Sequence, residues 1–228
     1  MLGFPPESIG SIRMAISHIW PGGVQREKDY YGAHEFKLKG YPWTSQGVEA
    51  VTSRHLMSRI LGELFAQGWV LNLTTDISKS PSDLDTLLFR HQYPAPAPCE
   101  WMAISFSNSD QIRFITAPNQ PYDAVSQVVD AYIRLLGAAV QRHEPHRVAG
   151  CYEVKMRGNP WRAYSGETMH ARMLLLNLLM TLEQFGWTVY ASVDQKLQYG
   201  GNHQSGDTDT WHCCRQIGWQ PGMPVFHN

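Results

Sequence analysis

The sequence predicts an α+β fold of two pseudo-symmetric α-β-α-β-β repeats that share an antiparallel or mixed sheet backed by helices. Three observations lead there. The phrase GWVLNLTTD, from Gly68 to Asp76, returns as GWTVYASVD from Gly186 to Asp194, a step of 118 residues. The same step lays HEFKLKGYPW (34–43) on YEVKMRGNPW (152–161) without a gap, so that Glu35, Lys37, Gly40, Pro42 and Trp43 meet Glu153, Lys155, Gly158, Pro160 and Trp161. Between these phrases the apolar residues recur at helical spacing, and inside them they alternate. One domain over 1–228 is expected, with repeat one at about 8–117, repeat two at about 121–216 and a tail at 217–228.

Each repeat opens on a helix. Ile9, Ile12, Ile16 and Ile19 follow helical spacing after Pro5 and Pro6, and proline is at home in a first turn. In the second copy Val125, Val128, Val129, Tyr132 and Leu136 do the same over 121–142. A short alternating strand follows at 34–39 or 152–157, with Phe36 and Leu38, or Val154 and Met156, on one face and charged residues on the other. Gly-x-Pro-Trp ends it.

The long helix comes next, about 47–67 and 165–185. Met57, Ile60, Leu61, Leu64 and Phe65 form one stripe, and Leu175, Leu178, Leu179 and Leu182 form its counterpart. Gly68 and Gly186 sit where a helix C-terminal glycine belongs. A strand then starts at Trp69 or Trp187. Copy one continues through strands near 86–91, 101–107 and 111–116, with Asn108, Ser109 and Asp110 as a hairpin turn. Copy two has one more strand near 209–215, and Asp85-Thr86 aligns with Asp209-Thr210 across an insertion. VQR at 24–26 echoes VQR at 140–142. YPAPAP (93–98) reads as a stiff connector.

Composition narrows the classes. The chain has 228 residues, 43% hydrophobic and 17% charged, with a formal net charge of −1. That balance supports a sizeable core and argues against non-specific nucleic-acid binding, which needs a basic excess. No apolar run is long enough to span a bilayer. MLGFPPESIG lacks the basic and apolar regions of a secretory leader. Cys213 and Cys214 are adjacent, so they point to opposite faces of a strand and do not pair with each other. These features point to a cytoplasmic or nuclear protein with reduced thiols.

GGVQREKDYYGAHEFKLKGYPW, then a helix, then GW and a strand ending in Asp, resembles a family of eukaryotic proteins with tandem copies of this unit. The resemblance covers roughly 12–215 and brings no activity, cofactor or site residue with it.

Candidate site residues therefore come from the repeat itself. The strand face away from the helices is expected to collect Lys37, Lys39, Lys155, Arg157, Asn72, Thr74, Asp76, Tyr190, Ser192 and Asp194. It reads either as the wall of a groove for a polar or anionic ligand or as a solvated face of cross-strand pairs. Arg54 and Arg172 hold equivalent helix positions, five residues after Glu49 and Glu167. They suit structural ion pairs or an anion clamp. Asp76 and Asp194 end matching strands, where they suit turn capping or a shared site. Trp43, Trp161, Trp69 and Trp187 recur and read as packing residues. Trp20, Trp101, Trp211 and Trp219 do not recur, which marks Trp211 among others as a candidate for a pocket or interface.

No cofactor and no metal site is expected. His143, His146 and Cys151, or His203, His212 and Cys213, match no standard zinc spacing. Cys213 is a formal nucleophile candidate without a catalytic signature around it. Neither a phosphate-binding loop, G-x-S-x-G, G-x-G-x-x-G nor H-E-x-x-H occurs. The expected function is a non-enzymatic binding or adaptor domain that uses a groove or polar sheet face between the repeats, for a small polar ligand or a protein. The alternative is a small-molecule enzyme with Asp, His and Cys residues at the junction. Finally, Met173, Leu176 and Met180 form a second apolar stripe on helix 165–185, opposite His55, Ser58 and Gly62 of the first copy. It is expected to be buried, with His55 and Ser58 more exposed.

Overall fold

The computed structural model describes residues 1–43, 47–77, 85–118, 123–195 and 209–226. Among the described residues the chain divides into two units, one of Met1–Ala97 with Gln195 and one of Pro98–Asp194 with 209–226.

In the first unit, α1 (Pro6–Ile19) starts on a proline and buries Ser8, Ile12, Ala15 and Ile16. Trp20 stops it in extended conformation, and its indole nitrogen donates to the Lys39 carbonyl at 2.8 Å. Strands β1 (Val24–Tyr30) and β2 (Ala33–Leu38) pair as an antiparallel hairpin. Helix α2 (Gly47–Ala66) buries Leu56, Leu61, Leu64 and Phe65 among others. Strands β3 (Trp69–Thr75) and β4 (Thr86–His91) form a second antiparallel pair. Ile12, Ile16, Trp20, Leu56 and Leu64 make the core of this unit, and Phe4, Phe36, Leu38, Ile60 and Phe89 pack around it.

The second unit begins with the hairpin β5 (Cys99–Ser107) and β6 (Gln111–Ile115), turned at Asn108 in left-handed conformation. Helix α3 (Asp123–Leu136), strands β7 (Val140–Pro145) and β8 (Cys151–Met156), helix α4 (Glu167–Gln184), and strands β9 (Thr188–Val193) and β10 (Thr210–Gln216) follow. All six strands join one antiparallel sheet in the order β7-β8-β6-β5-β10-β9. The core gathers Met102, Ile104, Phe106, Ile112 and Phe114 of the hairpin with Val128, Tyr132, Val154, Leu178 and Trp187. The buried Tyr132 hydroxyl donates to the Leu174 carbonyl at 3.0 Å and ties α3 to α4.

The α+β class holds, and the repeat is written into the ladders. Val24 faces Leu38 and Arg26 faces Lys37, so Gln25 bulges; Val140 faces Met156 and Arg142 faces Lys155, so Gln141 bulges. Leu71 faces Phe89 and Leu73 faces Leu88, with Asn72 bulged; Val189 faces Cys213 and Ala191 faces His212, with Tyr190 bulged. Bulges fix register and local twist, so coincidence at both places means one unit built twice. Thr86 on Thr75 and Thr210 on Val193 confirm the aligned insertion.

Three details extend or correct the sequence reading. Each copy contains one strand more than expected, β1 or β7, giving α-β-β-α-β-β. Helix α3 ends at Leu136, because Gly137 takes φ +50° and the chain turns into β7. The hairpin β5–β6, read as the end of repeat one, is built into the sheet of the second unit, between β8 and β10.

The second stripe of α4 is open, against expectation. Met173, Leu176 and Met180 are 54%, 49% and 60% exposed, whereas Ser58 is buried. Neither α3 nor Trp219 of the C-terminal tail covers it. α3 packs on the inner side of α4 through Tyr132, and Trp219 of the tail lies against Gly186.

Candidate functional site

A cleft opens in the first unit between its two hairpins. Its volume is about 720 Å³. Ile12 and Ile16 of α1 with Met57, Ile60 and Leu64 of α2 line it; Phe36 and Leu38 of β2 form one wall, Leu87 and Phe89 of β4 the other. The alternation of β2 and β4 explains why these residues share the helix-facing side. Trp69 contributes from the start of β3, held there by a hydrogen bond from its indole nitrogen to Ser8 Oγ at 3.1 Å. Trp43, read from the sequence as a packing joint, lines the cleft too.

The N-terminal residues lie along one side. Met1 and His34 exchange two backbone hydrogen bonds, 2.6 and 2.8 Å, and Leu2 bridges to Ala33. Phe4 stacks against Trp69 and Phe89 with ring centroids 4.9 and 5.7 Å away. Polar groups are few and peripheral. His34 is oriented by Glu27, 3.0 Å away, and its ring packs on Phe36. Arg13 grips the same Glu27 carboxylate through two nitrogens at 2.9 and 2.7 Å. That hydrogen bonding, first from Arg13 and then from His34, lowers the Glu27 pKa.

The residues singled out from the sequence are placed differently. Lys37 is exposed on β2 and Asp76 is exposed just past β3. Arg54 donates to the Ala50 carbonyl at 2.8 Å within α2, and the exposed Arg172 to Met169 Sδ at 3.3 Å. Lys155 pairs with Asp110 at 3.5 Å. Tyr190 is buried edge-on against Trp101, 5.0 Å between centroids. Trp211, half-buried, packs against Phe106 at 5.1 Å, at the margin of the core of the second unit. Asp194 is half-buried in the second unit. Lys155 and Trp211 thus meet residues outside the predicted set, and Tyr190 meets Trp101, one of the non-recurring tryptophans.

The polar strand face of the second unit carries an ion-pair network. Arg113 reaches Glu153 at 2.8 Å with both side chains largely buried, and Arg142 approaches the same carboxylate at 3.8 Å. Burial, then the Arg113 charge, lowers the His146 pKa. His143 Nδ1 meets the Tyr152 hydroxyl at 2.8 Å, and His146 Nδ1 accepts from the Val148 amide at 3.2 Å. His203 lies outside the described residues. Among the described residues no three His, Cys, Asp or Glu side chains converge as a metal site. Cys213 is fully buried, and burial raises its thiol pKa. Such burial favours the thiol over the reactive thiolate.

Sequence reasoning missed the cleft. Its residues were read as helix-facing core, and only the strand order reveals that two ladders leave a space between them.

No helix among the described residues is long and apolar enough to cross a membrane. Neither the curated proteins nor the solved structures contain a match to this chain. One family domain model matches it in two segments, residues 1–90 and 100–214. The first segment falls on the unit with the open cleft and the second on the unit with the six-stranded sheet. The chain therefore belongs to the family that this domain defines.

Proposed function

We propose that the chain is a binding module, an adaptor in the sense expected from its sequence, and that its ligand-accepting surface is the apolar cleft of the first unit. The cleft itself carries this reading. Its volume of about 720 Å³ falls in the range of roughly 300–1,000 Å³ usual for ligand sites. Five elements turn apolar side chains into it, so an occupant gains about 25 cal/mol for each Å² of apolar surface removed from water. Tyr30, Glu35, Asp85 and Thr86 stand among the lining groups as polar contacts. The matching ligand is apolar in its body, unlike the small polar molecule suggested by the lysine-bearing strands.

A solvatochromic apolar dye tests this. The full chain should bind it with saturable fluorescence. Ile60→Trp fills the cleft from a half-buried position and should abolish the signal, while circular dichroism and melting stay close to the parent. Equal dye binding by both proteins would overturn the assignment.

A further inference from the structure

The two units solve the same construction problem in different ways. In the second, the hairpins β7–β8 and β10–β9 are joined by β6 and β5, which occupy the space between β8 and β10. In the first, the equivalent hairpins β1–β2 and β4–β3 share no ladder among the described residues, and the cleft lies where the middle pair would be. The matching registers and bulges make β2 the counterpart of β8, and β4 that of β10. The edges that face the cleft are therefore the two edges that in the second unit hold a hairpin.

A short stub already sits there. Leu2 bridges Ala33 antiparallel, and Met1 exchanges hydrogen bonds with His34. In the second unit Ile115 faces Cys151 and Phe114 faces Tyr152. By the 118-residue step Ala33 and His34 correspond to Cys151 and Tyr152, so Met1 and Leu2 take the places of Phe114 and Ile115. Among the described residues, β2 from Glu35 to Leu38 and β4 have no further ladder partner on the side of the cleft.

We propose that the first unit completes its sheet with an extended hairpin from a partner polypeptide. This rests on the cleft being a binding site and specifies its ligand class. The chemistry of the partner follows from β5–β6: two strands with large apolar side chains at alternate positions, as in Met102, Ile104 and Phe106. Backbone hydrogen bonds to β2 and β4 supply affinity, and the alternate side chains supply selectivity. The inner strand β4, TLLFRH, carries a single Arg, so charge does little to block pairing at its edge.

The probe is a synthetic peptide with the sequence of 99–113, Cys replaced by Ser, added to the full chain. A second peptide has the same sequence N-methylated at alternate amides on the outer edge of its first strand, which removes edge hydrogen bonds and leaves the side chains. The unmodified peptide should bind at least about tenfold tighter than the methylated one, as loss of several hydrogen bonds requires. It should also slow amide exchange in β2 and β4 and displace the apolar dye. To keep weak affinity from hiding the effect, 99–113 is also fused directly ahead of Met1, which raises its effective concentration. Protection of β2 and β4 in the fusion is the expected result. Dye binding with no such protection in either format, with equal affinity of both peptides, or with protection at β8 and β10 instead, overturns the strand proposal and leaves the apolar cleft standing. Failure of the dye itself removes both.

Discussion

The two GW joints make a matched pair of perturbations whose costs should differ. Gly68 has φ +87° and Gly186 has φ +78°, so both lie in the left-handed region. Alanine there carries a backbone penalty of roughly 1–2 kcal/mol. The surroundings then separate the sites. A Cβ on Gly68 would stand 2.5 Å from the Gln92 carbonyl oxygen, which belongs to the backbone. The Gln92 amide is itself hydrogen-bonded to the Gly68 carbonyl at 2.9 Å, so the two segments cannot separate without losing that bond. A Cβ on Gly186 would overlap the Trp219 indole, a half-buried side chain that can swing away. Adding about 1–3 kcal/mol for an unyielding overlap, Gly68→Ala should cost about 2–5 kcal/mol, and Gly186→Ala, with about 0.5–1 kcal/mol for displacing the ring, about 1.5–3 kcal/mol. Denaturant titration read by hydrogen exchange reports each unit separately, at β3 and at β9. Trp219→Ala in the Gly186→Ala background should recover the part due to the ring. Equal costs at the two glycines, or no recovery, would refute this division between backbone and side-chain resistance.

Two further outcomes follow from the titratable groups. Removing one partner of the Arg113–Glu153 pair strands a buried charge, so Glu153→Ala should destabilise the second unit by about 3–5 kcal/mol; Arg113→Met with Glu153→Leu should recover most of that in the same exchange measurement. For His55, burial first and then the Arg59 charge lower the pKa from 6.5, so the unfolded chain binds its proton more readily. Stability should be full above pH 6.5 and fall as the pH drops from 6.5 through the folded pKa, and His55→Asn should flatten that limb.

Much of the fold was legible because periodicity and punctuation agree. Gly68-Trp69 and Gly186-Trp187 mark two helix stops and two strand starts, and the 118-residue step aligns β2 with β8 and β3 with β9. β1 and β7 were not legible as strands. VQREKDY has no alternation to read, because an outer strand with charged residues on both sides gives no apolar period. The end of α3 was overrun because Val140 continues its apolar spacing, while Gly137 breaks it by conformation. The open stripe of α4 shows the limit of a rule from amphipathicity. Met173, Leu176 and Met180 predict that something covers them, but which element does so depends on where Tyr132 and Trp219 find their partners. The contacts of the candidate site residues were the least legible. Lys155 is absorbed by Asp110 and Tyr190 by Trp101, contacts between residues far apart in the chain that no local pattern encodes.

The cleft follows from an asymmetry that duplication alone does not remove. A two-layer unit with four strands in two hairpins leaves inner edges and an apolar helix surface beneath them. In the second unit β5 and β6 cover both, burying Met102, Ile104 and Ile112 completely. In the first unit α1 and α2 turn equivalent apolar surface toward the gap, with Ile60 and Phe36 only half-buried. Leaving such surface and unpaired edges open costs stability and invites aggregation. The inner edge of β4 carries a single Arg, and among the described residues Leu2 and Met1 pair with Ala33 and His34 of β2. An edge left pairable beside an apolar floor, in a chain that elsewhere closes the same space with its own hairpin, is what a strand-accepting binding module requires.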